Sequence, residues 1–249
     1  FDTTYLNLTS DYALSIIIVD NQNSKLNLMK KLFFSILATV GFLSVTNAQM
    51  NPIEFVEYDL PNGLHVILHQ DNTTPVVTVS VLYHVGSKNE NPERTGFAHF
   101  FEHLLFEGSE NIKKEEGAGG NPYFAMVQGA GGTLNANTSN DRTFYYEKLP
   151  SNELELGLWM ESERMLHAKV DITGVETQRE VVKEERRQRT DNQPYGTFVE
   201  EAMKRAFKKH PYKWPVIGSM AHLDAAQEQD YKDFYKLFYV PNNATLSVA

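Results

Sequence analysis

Strands first, then helices, then a returning strand predict an α+β domain: a mixed or antiparallel sheet covered by helices. Three observations carry this. Residues 54–85 read as extended chain with a tight turn, residues 151–239 as long helices, and the last six residues as strand again. With 249 residues, 41% of them hydrophobic and 22% charged, the chain has ordinary globular composition and can bury one large core.

The elements follow in order. Glu54 to Leu60 alternates apolar and polar as a half-buried strand does, Pro61-Asn62-Gly63 is a turn, and Leu64 to His69 pairs back. Val76 to Val85 is a Val-rich third strand. Gly86 to Arg94 is a polar connection, and Thr95 is the N-cap expected for a helix running to about Phe106. Two glycine-rich corners, Gly117-Ala118-Gly119-Gly120 and Gly129-Ala130-Gly131-Gly132, flank a short helix started by Asn121-Pro122. No Lys-Ser/Thr follows them, so they do not read as a nucleotide loop. Thr133 to Ser139 and Arg142 to Leu149 are strands joined at Asn140-Asp141. Helices are predicted over Glu153 to His167 with Ser151 as cap, Val175 to Arg189, Gly196 to Lys209, and up to Tyr239 with Asp224 as cap. Ala244 to Ala249 starts a strand and stops, which suggests a C-terminally truncated domain.

Ahead of this domain, Met29-Lys30-Lys31, the apolar run Leu32 to Val45 and the small-residue site Thr46-Asn47-Ala48 read as a signal peptide over residues 29–48. The run is shorter than the roughly 17–25 residues of a span, so no stable membrane anchor is expected. Residues 1–28 read as a non-native upstream extension, leaving 49–249 as the mature domain, exported to a periplasm or secreted. Asp2, Asp11 and Asp20 balance Lys25, Lys30 and Lys31, so the mature part keeps the formal charge of −9. That charge argues against nucleic acid and anionic membrane as partners. There is no cysteine, which excludes disulfides, a thiol nucleophile and Cys-ligated zinc.

The chemistry is concentrated in Ala98-His99-Phe100-Phe101-Glu102-His103-Leu104, an H-x-x-E-H spacing. On a helix, His99 and His103 lie one turn apart on one face. Two such imidazoles can reach one tetrahedral zinc, and a carboxylate beside it can take a proton from a water that the metal has acidified. Chance produces the spacing roughly once in fifty such chains. The flanking Phe97, Phe100, Phe101, Leu104, Leu105 and Phe106, however, make the helix apolar nearly all round, and a buried Glu between two His needs a partner or a metal. By contrast His65, His69 and His84 read as ordinary strand residues. A zinc site needs a third protein ligand, and spacing alone does not choose it among 32 acidic residues.

Thr95 to Gly108 resembles the signature of the pitrilysin (insulinase-like) zinc peptidases, whose motif inverts the commoner H-E-x-x-H. Gly131-Gly132-Thr133-Leu134-Asn135-Ala136, Asp141-Arg142-Thr143, Arg179-Glu180-Val181-Val182-Lys183-Glu184-Glu185 and Phe238 to Ala244 are similar to further family motifs in the same order. The resemblance implies the N-terminal, zinc-binding domain of a zinc metalloendopeptidase with one Zn2+ per chain. His99, His103 and Glu185 are then ligands, with Glu184 as fallback, and Glu102 is the general base. Asn135 and Ala136 are implied to hold a peptide added as a strand to a sheet edge. A further domain or partner subunit is implied to complete the site, since the family closes like a clamshell and a later domain supplies an arginine and a tyrosine. Two departures stand out: the Gly-Ala-Gly-Gly insert lengthens the path to Glu185, and Gln178 stands where relatives often carry a glutamate. Besides a peptidase acting on peptides or unfolded protein, the residues leave open a non-catalytic peptide-binding subunit of the same fold, or a metal-dependent hydrolase of other substrates.

Overall fold

A computed structural model of the chain describes residues 25, 27–33, 35, 52–113 and 120–249. It divides into two compact units, residues 1–53 and 54–249. In the first unit the described residues are exposed; residues 25, 27–33 and 35 are helical, and 52 and 53 are not. The rest of the expected signal peptide 29–48, and nearly all of 1–28, lie outside the described residues. Among the described residues no helix is long and apolar enough to cross a membrane.

The second unit is built on a six-stranded mixed sheet in the order β1-β2-β6-β3-β5-β4. Its strands are β1 (Val56–Asp59), β2 (His65–Leu68), β3 (Val76–Tyr83), β4 (Thr133–Thr138), β5 (Thr143–Pro150) and β6 (Ala244–Val248). The expected hairpins form: β1 pairs with β2 and β4 with β5, both antiparallel. The returning strand β6 lands inside the sheet, parallel to β2 and antiparallel to β3. Val77, Val79, Val81 and Tyr83 alternate along β3 and are buried, so one face of the sheet carries the core. β4 is an edge strand.

Helix α1 (Phe97–Leu104) is the motif helix. It is followed by α2 (Pro122–Gly129), α3 (Leu154–Leu166), α4 (Ile172–Arg186), α5 (Phe198–Ala206), α6 (Met220–Ala225) and α7 (Glu228–Phe238). Phe97 stacks on Tyr231 at 4.6 Å between ring centres, and Phe101 on Phe234 at 5.6 Å, which fastens α1 to α7. On its other side Tyr145 of β5 donates to Phe101 O at 2.7 Å. Helix α3 meets the sheet at Gly157, where a Cβ would stand 2.9 Å from Val79 and 3.1 Å from Leu149.

Three expected caps differ. Thr95 does not cap α1: its hydroxyl lies 2.9 Å from His222 Nδ1 and accepts from Ser219 N at 3.1 Å. The N-cap is Gly96 at φ 98°, and the buried Glu90 accepts from Gly96 N and Ala98 N, both at 2.9 Å. Ser151 opens a 3-10 turn whose backbone N–H is taken by Pro75 O, so α3 starts only at Leu154. Asp224 lies inside α6 and pairs with Lys183 at 3.0 Å, because the chain extends at Ala226-Gln227 and splits the last helix in two. Gln227 and Asp230 cap α7 instead. Asn121 caps α2 as expected, accepting from Tyr123 N at 3.0 Å.

Gly96 combines a left-handed φ with a close approach, since a Cβ there would meet Ile217 O at 2.8 Å. Gly96→Ala is expected to destabilise the domain by about 1–3 kcal/mol. Equilibrium denaturation measures this, and an unchanged midpoint would contradict the strain.

Candidate metal centre

Helices α1 and α4 face each other and bring three candidate ligands together. His99 Nε2 lies 3.5 Å and His103 Nε2 3.1 Å from Glu185 Oε2. One ligand atom from each of the three residues lies within 4.8 Å of the others. Zinc bonds of about 2.0–2.1 Å at a tetrahedral angle put ligand atoms about 3.3 Å apart, so the two measured separations bracket the requirement. Glu185 Oε2 is buried and has only the two imidazoles beside it, as suits an oxygen that shares a cation with them. Burial pushes the Glu185 carboxyl up, but the two imidazoles outweigh it and hold the group well below the usual carboxylate range. Two nitrogens and a carboxylate oxygen are a donor set suited to zinc, and the residues fit the ion.

The choice between the two glutamates follows from helix geometry. Successive residues point about 100° apart. Glu184 faces solvent and accepts from Arg187 and Gln188, each at 2.9 Å, while Glu185 turns toward α1. After Arg186 the helix widens into a π-turn over Arg187–Asp191, and Arg189 reaches back to Glu185 Oε1 at 2.6 Å. One carboxylate oxygen is thus held by a cation of the chain and the other is left toward the imidazoles.

Glu102 and His103 line a cleft of about 240 Å3 together with Phe106, Asn121, Phe124, Asn135, Ala136 and Gln178. The expected base and the expected substrate-contacting residues therefore share one cavity. Asn135 and Ala136 sit on β4, the edge of the sheet, and Asn135 Oδ1 accepts from Ala136 N at 2.8 Å. Gln178, buried on α4, donates to Glu107 Oε1 just beyond the motif, so it carries a hydrogen bond where a second carboxylate was expected in relatives. His65, His69 and His84 lie apart from the centre; His65 pairs with Asp59 at 2.8 Å and His69 with Glu54 O at 2.6 Å.

Sequence reasoning missed Glu90, whose burial pushes its carboxyl up to about 8 against the pull of the N–H groups it accepts. Its distance from the helix start matches no capping pattern, so only the folded loop reveals it. Arg164, buried on α3, was missed as well. A Glu161/Arg164 pair at i,i+3 in an amphipathic helix was the available signal.

Residues 65–219, more than half of the chain, match the family model described as insulinase (peptidase family M16). The zinc protease PqqE of Helicobacter pylori is 38% identical over 190 residues, which cover 76% of this chain and 41% of that protein. The crystal structure of a protease from Helicobacter pylori superposes with a TM-score of 0.73 at 36% identity, covering 79% of this chain and 46% of that one. The first half of the periplasmic protease PqqL from Escherichia coli gives a TM-score of 0.65 at 25% identity, covering 78% and 42%. The chain spans about two fifths of the length of the curated relatives it matches.

Proposed function

The chain belongs to the insulinase family of peptidases, peptidase family M16, and from that premise we propose that it is a zinc-dependent endopeptidase. The observation that carries the reading is the meeting of His99, His103 and Glu185 beside a cleft that also holds Glu102. His99, His103 and Glu185 would hold one Zn2+. Bound zinc acidifies a water and polarises a peptide carbonyl. Glu102 would take a proton on its carboxylate and return it to the leaving amine. Asn135 and Ala136 would hold the main chain of a peptide added to the β4 edge, exchanging the bond between Asn135 Oδ1 and Ala136 N for one to the peptide.

The substrate proposed is a peptide or partly unfolded protein. A further domain or partner subunit would complete the site, consistent with the share of its relatives that the chain spans and with the first half of PqqL that it resembles. Export is supported by the signal-like stretch 29–48 and by the periplasmic PqqL. N-terminal sequencing of the exported protein tests the cut after Ala48, and a mature chain that retains Phe1 refutes it.

The activity test is hydrolysis of an unfolded protein or peptide by the chain joined by its completing domain or subunit. Hydrolysis is expected to stop when a chelator strips the metal and to return with zinc. Hydrolysis that persists without metal would overturn the reading. The 249-residue chain alone is expected to retain zinc but cleave poorly, and robust turnover by it would remove the need for a further domain.

A further inference from the structure

Outside the metal centre, one buried charged cluster makes direct contact with the motif helix. Arg164 is 1% exposed. Its Nε donates to Glu161 Oε1 at 3.0 Å, and its Nη1 donates to Leu105 O, the C-cap of α1, at 2.8 Å. The guanidinium carbon lies 4.6, 4.4 and 4.5 Å from the ring centres of Phe106, Tyr123 and Tyr145. Phe106 lines the cleft; Tyr145 holds Phe101 O and pairs in register with Ala136 on the edge strand. One side chain therefore touches the end of the motif helix, a cleft wall and the strand beside the edge.

A buried Arg–Glu pair is weak evidence for a stabilising role, because desolvation offsets the attraction. What arginine adds is direction. Its planar fork reaches an acceptor on each side while its faces pack on rings, which a lysine cannot reproduce. A cation at a helix C-terminus also complements the helix dipole. At the other end of α1, the carboxyl group of Glu90 takes two first-turn N–H groups.

We propose that Arg164 and Glu90 are positioning residues of the metal centre: together they grip the two ends of α1 and set where His99 and His103 stand against Glu185. The inference rests on the metal reading above. Neither residue touches the metal site, so both act through the helix backbone.

The test measures zinc affinity of the chain by competition with a chelator, and the visible spectrum of its cobalt form, beside the unfolding temperature. Arg164→Lys keeps the charge but not the fork. Glu90→Gln keeps the volume but leaves one of the two N–H groups facing an NH2. Each is expected to weaken zinc about 10–100-fold and to change the cobalt spectrum while the chain still folds. A variant that unfolds earlier yet binds zinc with wild-type affinity and spectrum has a merely structural residue, and overturns the proposal. If Arg164→Lys does not fold, Glu90→Gln decides on the same readouts. A wild-type chain that takes up neither metal overturns the metal reading and the grip with it; tight wild-type binding with unaltered variants overturns the grip alone.

Discussion

In the chain joined by its completing domain or subunit, replacing Glu102 by glutamine is expected to lower peptide hydrolysis by about 10²–10⁴-fold and to leave zinc content unchanged. The size follows from the role: a general base contributes that much by accepting a proton as the new bond forms. Retention of the metal follows from geometry. Glu102 is not among the three residues whose ligand atoms converge, and glutamine has nearly the same shape, so the cleft it shares with His103, Asn135 and Ala136 keeps its walls. The paired measurement of zinc per chain and turnover separates two readings that the fold alone does not distinguish. A peptidase loses turnover and keeps zinc. A peptide-binding subunit of the same fold shows no turnover to lose, and peptide binding passes through the substitution unchanged. Loss of zinc together with turnover would make Glu102 a ligand rather than a base.

The motif helix was legible because a period of 3.6 residues turns H-x-x-E-H into a face, and because apolar residues surround it except where Glu102 and His103 meet the cleft. The hairpins were legible for a similar reason, since Asn62-Gly63 and Asn140-Asp141 punctuate alternating runs. Where β6 inserts was not legible: nothing in Ala244 to Val248 names β2 and β3 as partners, because pairing at that sequence separation depends on the whole sheet. The caps failed for a related reason. Thr95 has a capping side chain but stands one residue before the cap, where His222 and Ser219 claim it from far along the chain, and Glu90 arrives over the helix end from the preceding loop. Local propensity is overruled when a tertiary partner satisfies the same backbone groups.

Glu185→Gln is expected to cost more zinc affinity than the 10–100-fold typical of losing an outer hydrogen-bond partner, whereas Glu184→Gln is expected to bind zinc as the wild type does. The two residues are neighbours with the same chemistry, so the contrast isolates position. Glu184 is exposed and paired with Arg187 and Gln188, and its loss removes a surface contact of small energetic weight. Glu185 places Oε2 between the two imidazoles, buried and facing them. Glutamine there supplies a neutral oxygen or an NH2 in place of an anionic ligand, and the Arg189 contact at 2.6 Å loses its countercharge. Zinc content per chain, measured for both variants beside the wild type, decides. Equal loss in both would mean that α4 as a whole, rather than one carboxylate, holds the centre together. Loss in Glu184→Gln alone would mean that the helix turns by one residue when the metal enters, and would transfer the third ligand to Glu184.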